Sequence, residues 1–524
     1  MVAKFDLTDA SVVVIIGTGA GGGTLANELA QKKGIKVVSL EAGGRYLPED
    51  YVNDEWESFG QLAWLDKRTT SGDWRVAHDF SGLPAWIVKA VGGTTTHWAG
   101  ASIRFQDHEW KPLTNYGRVD GANLIDWPID GAEMAPWYDQ AEEKMGVTRT
   151  GNRPGLPGSN NYKVFEKGAK AVGYTMVHTG RMAIQSDDSG TRTSCQQTGF
   201  CFQGCKWGAK WSTAYTEIPD GEATGNLEVR ERSHVAKINH GADGKVTGVT
   251  YFDADGKSQT QAARIVCVAG NSIESPRLLL NSASEMFPDG LANSSGQVGR
   301  NYMRHVTGSV YGIFDKPVKM WRGTTMAGIV QDEAHLDPTR GFVGGYELET
   351  LSLGLPFMAA FLDPGKWGRE FTTALDSYEN MAGMWIVGED MPQETNRVTV
   401  NADQPDQFGL PSPNVAFSDH PNDVAMRNHA YQRGHDIYKA VGATRIMPTP
   451  PYPSTHNLGT NRMSENPADG VVNKWGQSHD IANLFVSDGS QFTSGAAENP
   501  TLTIVALAIR QAAHIASEMA KGSI

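Results

Sequence analysis

The segment Ser11-Val-Val-Val-Ile-Ile16 is an unbroken β-branched run, and a run without polar alternation predicts a buried strand. Gly17-Thr-Gly19-Ala-Gly-Gly22 follows directly, and a helical stretch then passes through Leu25, Leu29 and Ala30. A second apolar run, Ile35–Leu40, ends in Glu41. Strand, glycine loop, helix and strand stand here in the order of a βαβ unit. Arg264-Ile-Val-Cys-Val-Ala269 and Leu484–Val486 predict further buried strands, and a strand-ending pattern lies between Leu227 and Ile238. Later in the chain Tyr311–Phe314, Arg397–Val400 and Asn414–Phe417 predict strands of a second sheet. The turn-rich stretches Asn152–Asn160 and Asn401–Asp406 mark surface loops. Tyr346-Glu-Leu-Glu349 and Trp385-Ile-Val-Gly-Glu389 mix aromatics with acids, and are expected to be core aromatics beside surface carboxylates. The other reading of those two runs is a sugar pocket, in which rings stack on CH faces and carboxylates accept hydroxyls.

Length turns this pattern into an architecture, because 524 residues suffice for two or three domains. With 46 basic and 59 acidic side chains the net charge is 46 − 59 = −13, so no strongly basic domain for nucleic acid is implied. Hydrophobic residues make up 40% and there are 59 glycines, the composition of a globular, turn-rich protein with large cores. No apolar run reaches the roughly 18 residues of a membrane span. The N-terminal Met-Val-Ala-Lys-Phe-Asp-Leu stretch lacks the apolar segment of a secretory signal, so export is expected only with the help of a signal-bearing partner.

The glycine loop carries specific chemistry. Gly17 permits a tight turn, Gly19 lets the backbone approach a pyrophosphate, Gly22 allows close helix packing, and Glu41 stands where it would accept from a ribose hydroxyl. This geometry serves nicotinamide and flavin dinucleotides alike.

Three of the four cysteines crowd into one short loop as Cys195, Cys201 and Cys205, interleaved with Gly199, Gly204 and Gly208. Three thiolates fit a three-iron cluster with one empty corner or a four-iron cluster with an outside ligand. Zinc competes, although structural zinc usually draws four ligands from two close pairs. Cys267, inside an apolar run, is expected to be a packed core thiol.

The flavin alternative is favoured by Val91-Gly-Gly-Thr-Thr-Thr-His97-Trp98, by Val268-Ala-Gly-Asn-Ser-Ile-Glu-Ser-Pro276, and by Ser487-Asp488-Gly489 followed by Asn499-Pro500-Thr501. With Val298-Gly-Arg-Asn301 and His456-Asn-Leu-Gly459, these motifs resemble, in order, those of the glucose-methanol-choline oxidoreductases. The cysteine triplet narrows the resemblance to bacterial sugar dehydrogenases of that family, such as those acting on gluconate, fructose, glucose and glucosides.

The resemblance implies an α/β fold: a Rossmann-like FAD-binding domain with a second, substrate domain built on an antiparallel sheet. The flavin domain would be assembled from residues 1–45, 85–135, 220–310 and 455–524. The substrate domain would comprise 136–219, with the cysteine loop at 195–208, and 311–454. Gly92 and Gly93 would pass close to the flavin, with Thr94 and Thr95 supplying small hydroxyls, and the backbone of Val235 would hold the adenine. Asp488 and Gly489 would meet the ribityl and phosphate portion, while Pro500 and Thr501 would open a helix facing the flavin. His97 is similar to the histidine that tethers FAD covalently in pyranose oxidases, the alternative being a hydrogen-bonded pocket histidine. Residue 304 is Arg where relatives commonly have Asp, which leaves its role open.

For catalysis the resemblance implies His456 as the base that takes the hydroxyl proton while a hydride leaves carbon, a role that suits a neutral imidazole. Asn499 would hold the hydroxyl in line. The related dehydrogenases carry a three-iron cluster on a similar triplet, so the expected cofactors are FAD and an iron–sulfur cluster of the 3Fe-4S type. The expected reaction is oxidation of a secondary hydroxyl of a sugar or glycoside, with C3 of a glucoside preferred over C1, C2 or C5. Electrons would leave through the cluster to a small subunit and then to cytochrome c or a quinone. An oxygen-using pyranose oxidase is the rival. A periplasmic location follows if the chain is exported with a signal-bearing subunit, and a cytoplasmic one otherwise.

Overall fold

The computed structural model describes residues 4–57, 87–188, 192–355, 358–359, 362, 367–451 and 454–524. The domain boundary expected at residue 85 lies outside the described residues.

The apolar runs form one five-stranded parallel sheet, in the order Leu484–Val486, Ile265–Val268, Val13–Ile16, Val37–Leu40, Leu227–Arg230. Val13 pairs with Val37 on one side and Ile265 on the other. The sheet is covered on both faces, which is why these strands carry no polar alternation. One face, with Val13, Ile15, Val37, Cys267 and Phe485, packs on the helices Ala20–Ala30 and Thr501–Lys521. Cys267 is buried in that core, as a packed thiol should be. The opposite face, with Val14, Ile16, Val38 and Val266, belongs to a core that also holds Tyr138, Trp211 and Val249.

A six-stranded antiparallel sheet lies alongside, in the order Arg445–Pro448, Val306–Ile313, Met381–Gly388, Tyr346–Thr350, Ile329–Val330, Val177–His178. Helices Asn160–Ala171 and Pro421–Ala440 cover it, burying Phe165, Ala169, Ile437 and Tyr438.

Three features depart from the sequence expectation. The strands Arg397–Pro405 and Pro411–Ala416 form a separate hairpin, outside the antiparallel sheet. Pro405, Pro411 and Pro413 lack the amide hydrogens a further neighbour would need, and the hairpin packs on the helix Asn271–Asn281 through Arg277, whose guanidinium donates to the Pro411 carbonyl and to Asp406. Within 136–219, the helix Gly131–Met145 and Trp211 pack with the parallel-sheet core, because Met134, Tyr138 and Ala141 form an apolar face matching the helix Thr501–Lys521. Glu347, Glu349 and Glu389 are fully buried, not surface acids.

Candidate active site

The glycine loop is fixed by steric necessity. Gly17 has φ +99°, and a Cβ there would lie 2.4 Å from the Ala269 carbonyl oxygen. A Cβ on Gly22 would lie 2.2 Å from the Gly17 carbonyl oxygen, and one on Gly93 would come within 2.9 Å of the Gly19 Cα. Gly19 and Gly93 therefore bring two backbone loops face to face with no side chain between them. Gly92, at φ +96°, opens the turn Gly93–Thr96 and donates its amide to Thr18 Oγ1 at 3.0 Å. Thr18 in turn donates its hydroxyl to Glu41 at 2.7 Å, and Glu41 also accepts the amides of Thr18 and Gly43. Glu41 thus ties the first loop to the end of its strand, and burial raises its pKa.

Of the residues expected at the flavin, Gly17, Gly19, Glu41, Gly93, Thr94 and Thr95 line one long cavity, and Val235, Asp488, Gly489, Pro500 and Thr501 join them. The helices Ala20–Ala30, Asn271–Asn281 and Thr501–Lys521 all begin at this cavity. Three helix N-termini make a concentration of partial positive charge suited to a dinucleotide's phosphates and an electron-rich ring. Asp488 accepts from the Asn271 amide at 2.9 Å and the Ser275 hydroxyl at 2.5 Å, joining the end of the strand Leu484–Val486 to the second of these helices. The Thr95 hydroxyl donates to the Gly92 carbonyl at 2.6 Å, so its hydrogen is spent inside its own turn.

His97 is a buried, hydrogen-bonded histidine. It is buried outside the lining of this cavity, its Nδ1 lies 2.8 Å from the carbonyl of Phe202 in the cysteine loop, and the ring of Tyr51 meets it edge-on. Burial and the neighbouring Lys210 push its pKa down to about 3.

His456 and Asn499 both line the cavity. The Nδ1 of His456 lies 2.9 Å from the Nδ1 of His305, whose Nε2 lies 3.0 Å from the Gly495 carbonyl oxygen. A carbonyl only accepts, so His305 carries its hydrogen on Nε2 and presents a lone pair at Nδ1. His456 must then donate from Nδ1, which leaves a lone pair at its Nε2. Burial, and secondarily His305, hold the pKa of His456 well below the ordinary value, and burial takes His305 down to about 4. The pair is neutral at physiological pH, and His456 is set as a proton acceptor. His305 was passed over in the sequence, though it closes the segment that begins Val298-Gly-Arg-Asn301. Its neighbour Arg304 turns its amide to Asp390 at 2.7 Å and its guanidinium over the Phe417 ring.

Asn499 is buried with its Oδ1 unpaired. Under it lies Glu349, fully buried beside the Asn499 side chain; burial raises its pKa to about 8 against the opposing hydrogen-bonding influence of Asn499. Trp385, opposite Glu349 in the sheet register, stands 5.4 Å from the His456 ring. Met326, Leu351 and Leu353 add apolar lining to the same cavity.

Cys195, Cys201 and Cys205 line a second, small cavity with Lys206, Trp207 and Lys210. Among the described residues no three His, Cys, Asp or Glu side chains converge on a point that would hold a single metal ion. Cys201 is buried and Cys195 and Cys205 are half-buried around this cavity. Phe202, next to Cys201, lines the large cavity, so the two cavities share one stretch of backbone.

Two GMC oxidoreductase family models match the chain, over residues 82–307 and 392–508. The chain belongs to the GMC oxidoreductases. It is an FAD-dependent oxidoreductase acting on CH–OH donors. Relatives of this GMC chain include 2-methyl-1,2-propanediol dehydrogenase of Mycolicibacterium austroafricanum, 33% identical with 98% of this chain and 96% of the relative covered. The fructose dehydrogenase large subunit of Gluconobacter japonicus is 28% identical, covering 97% and 98%, and paromamine 6'-oxidase of Streptomyces fradiae is 28% identical, covering 97% and 91%. Among solved structures, a formate oxidase of Aspergillus oryzae RIB40 superimposes with a TM-score of 0.67 at 16% identity, over 97% of this chain and 98% of that one.

Proposed function

We propose that this GMC oxidoreductase is a sugar dehydrogenase that oxidises a secondary hydroxyl of a sugar or glycoside, C3 of a glucoside being the preferred position, and hands electrons to a partner and not to oxygen. The observation that carries the reading is the neutral His456–His305 pair, which leaves a proton-accepting nitrogen in a cavity shared with Asn499. FAD bound in that cavity supplies the acceptor for a hydride from carbon. His456 Nε2 takes the hydroxyl proton as charge develops on oxygen, and the Asn499 amide holds that oxygen in line. The Trp385 ring offers an apolar face to the CH side of a pyranose.

The cysteine loop supports the second part. An iron–sulfur cluster held by Cys195, Cys201 and Cys205 supplies one-electron exchange, which a cytochrome acceptor requires and an oxidase does not. A small subunit carrying an export signal, followed by cytochrome c or a quinone, is the partner this reading assigns, with a periplasmic location. The sugar substrate named for the fructose dehydrogenase relative supports it.

A second reading rests on Met326, Leu351 and Leu353, which give the cavity that His456 lines an apolar wall. A small aliphatic diol fits such a wall, and the propanediol dehydrogenase relative supports it. Anaerobic titration of the purified protein with methyl glucoside, glucose, gluconate and 2-methyl-1,2-propanediol, followed by flavin absorbance with iron and sulfide analysis, separates the readings. Bleaching by the glycoside, whose C1 is blocked, with about three irons per flavin is the expected result. Bleaching by free glucose or gluconate alone moves the reaction to C1 or C2, and bleaching by the diol alone establishes the second reading. An iron-free protein that reoxidises in air is an oxidase.

A further inference from the structure

Lys210 is 1% exposed, and none of the ion pairs among the described residues includes it. All three of its ammonium hydrogens are directed to carbonyls: Thr96 at 3.0 Å, Trp98 at 2.7 Å and Cys201 at 2.7 Å. The first two flank His97 in the segment that starts at the flavin turn Gly93–Thr96, and the third belongs to the cysteine loop. Lys210 also lines the three-thiol cavity. Burial of an ammonium without a counter-charge is among the costliest arrangements a fold can hold. The cavity it lines also carries the thiols of Cys201 and Cys205, which as metal-bound thiolates would face it with negative charge.

The contacts around Lys210 repeat the same join. His97 Nδ1 reaches the Phe202 carbonyl, and the Trp98 indole donates to the Trp211 carbonyl at 2.8 Å. The Tyr51 ring fills the space a Cβ on Gly204 would need, 2.3 Å away. The segment 96–98 and the segment 201–211 are thus sewn together from three directions, with one charge at the centre.

We propose that Lys210 is the counter-charge of the anionic group carried by Cys195, Cys201 and Cys205, and a positioning residue that holds the cysteine loop against the flavin loop. The proposal rests on the iron–sulfur reading given above. A fixed positive charge beside a redox centre favours its reduced, more negative state, and in a dry setting it acts with little screening. Lys206, which lines the same cavity from an exposed position, is screened by water and makes the comparison.

The test uses the intact flavoprotein and its Lys210→Gln, Lys210→Met and Lys206→Gln variants, measuring iron and sulfide per flavin and then the midpoint potential of the iron–sulfur signal by redox titration. Lys210→Gln keeps an amide donor for the carbonyls and loses the charge. It is expected to retain the cluster while reduction becomes at least tenfold less favourable, a shift of 59 mV to more negative potential for one electron. Lys210→Met, which loses the clamp as well, is expected to lose iron while keeping flavin. Lys206→Gln is expected to shift the potential less than threefold. An iron-loaded wild type with unchanged potential and iron content in both Lys210 variants overturns the role of Lys210 and leaves the cluster reading standing. An iron-free wild type with three free thiols overturns both. If neither Lys210 variant folds, acylation of wild-type lysines read by mass spectrometry decides: Lys210 protected when iron-loaded and reactive once iron is stripped supports the role, and equal protection in both states overturns it.

Discussion

At the scale of single residues the site is defined by where one proton can go. His456 donates from Nδ1 to His305, so its free Nε2 lone pair persists only while the ring is neutral. Burial holds its pKa well below 6.5, so protonation destroys the base only on the acid side. The rate of anaerobic flavin reduction is therefore expected to stay flat from pH 8 down through the ordinary histidine value of about 6.5, and to fall only well below it. Stopped-flow reduction across pH checks this, and an acid limb centred at or above the ordinary value would show that the base is not a buried neutral histidine. His456→Gln should lower that rate by about 10²–10⁴-fold with flavin retained. His305→Leu, which removes a hydrogen bond of about 1–2 kcal/mol, should lower it about 5–30-fold through kcat with little change in KM. The sequence made His456 and Asn499 legible because each sits in a short motif with Gly459 or Pro500. His305 was not legible, since its meaning depends on a contact with a residue 151 positions away. The motif around His97 fixes where its backbone runs, while the hydrogen bond to the Phe202 carbonyl, 105 residues away, was not legible in it.

At the scale of elements, the flavin cavity exists because backbone approaches backbone at its edges. Gly21 was not singled out by the glycine spacing, yet a Cβ there would lie 1.7 Å from the Ser487 carbonyl oxygen. It marks the point where the helix Ala20–Ala30 crosses the end of the strand Leu484–Val486, with Asp488 following at once. Gly21→Ala must push that helix off the strand end, a change of overpacking type costing about 1–3 kcal/mol. It should also disturb the helix start that lines the long cavity. The expected outcome is a protein of lower thermal stability that is purified with less than its full flavin, read by the ratio of flavin to protein absorbance. Full flavin and an unchanged melting temperature would mean that the helix can shift freely. The parallel strands were legible because double-sided burial removes polar residues from them. The hairpin Arg397–Pro405 with Pro411–Ala416 was legible as two strands but not as a separate sheet, because strand propensity does not say which neighbour a strand will find. The buried acids on Tyr346–Thr350 were misread for the same reason: alternation of Glu347 and Glu349 with apolar residues looks like a surface strand until a second layer covers it.

At the scale of the whole molecule, the protein buries two sets of ionisable groups in their neutral forms, and they pull stability in opposite directions with pH. His97, near 3, and His305, near 4, are both held down by burial. Below about 6.5 the unfolded chain takes up protons that the folded chain refuses, so the unfolded state binds more protons and stability falls as pH falls. Glu349, Glu389 and Glu498 are held up near 8, again by burial. Between about 4.3 and 8 the folded chain keeps protons that the unfolded chain has released, so stability falls as pH rises. Above about 8 the carboxyl contribution is already lost, and below about 4.3 it is fully present while the histidines continue to destabilise. The two slopes oppose each other only between about 4.3 and 6.5. The melting temperature of the flavin-loaded protein is therefore expected to peak in that interval, below neutrality, and to decline on both sides. Calorimetry across pH 4 to 9 measures it. A curve rising steadily from pH 5 to 8 would require these carboxyls to be ionised in the folded state, and the buried layer beneath Asn499 would then have to hold a compensating cation. Glu349→Gln separates the cases: replacing a neutral acid with a neutral amide should flatten the decline between pH 6 and 8 at little cost in stability at pH 5, whereas loss of a carboxylate bound to a cation would destabilise the protein at every pH above that point.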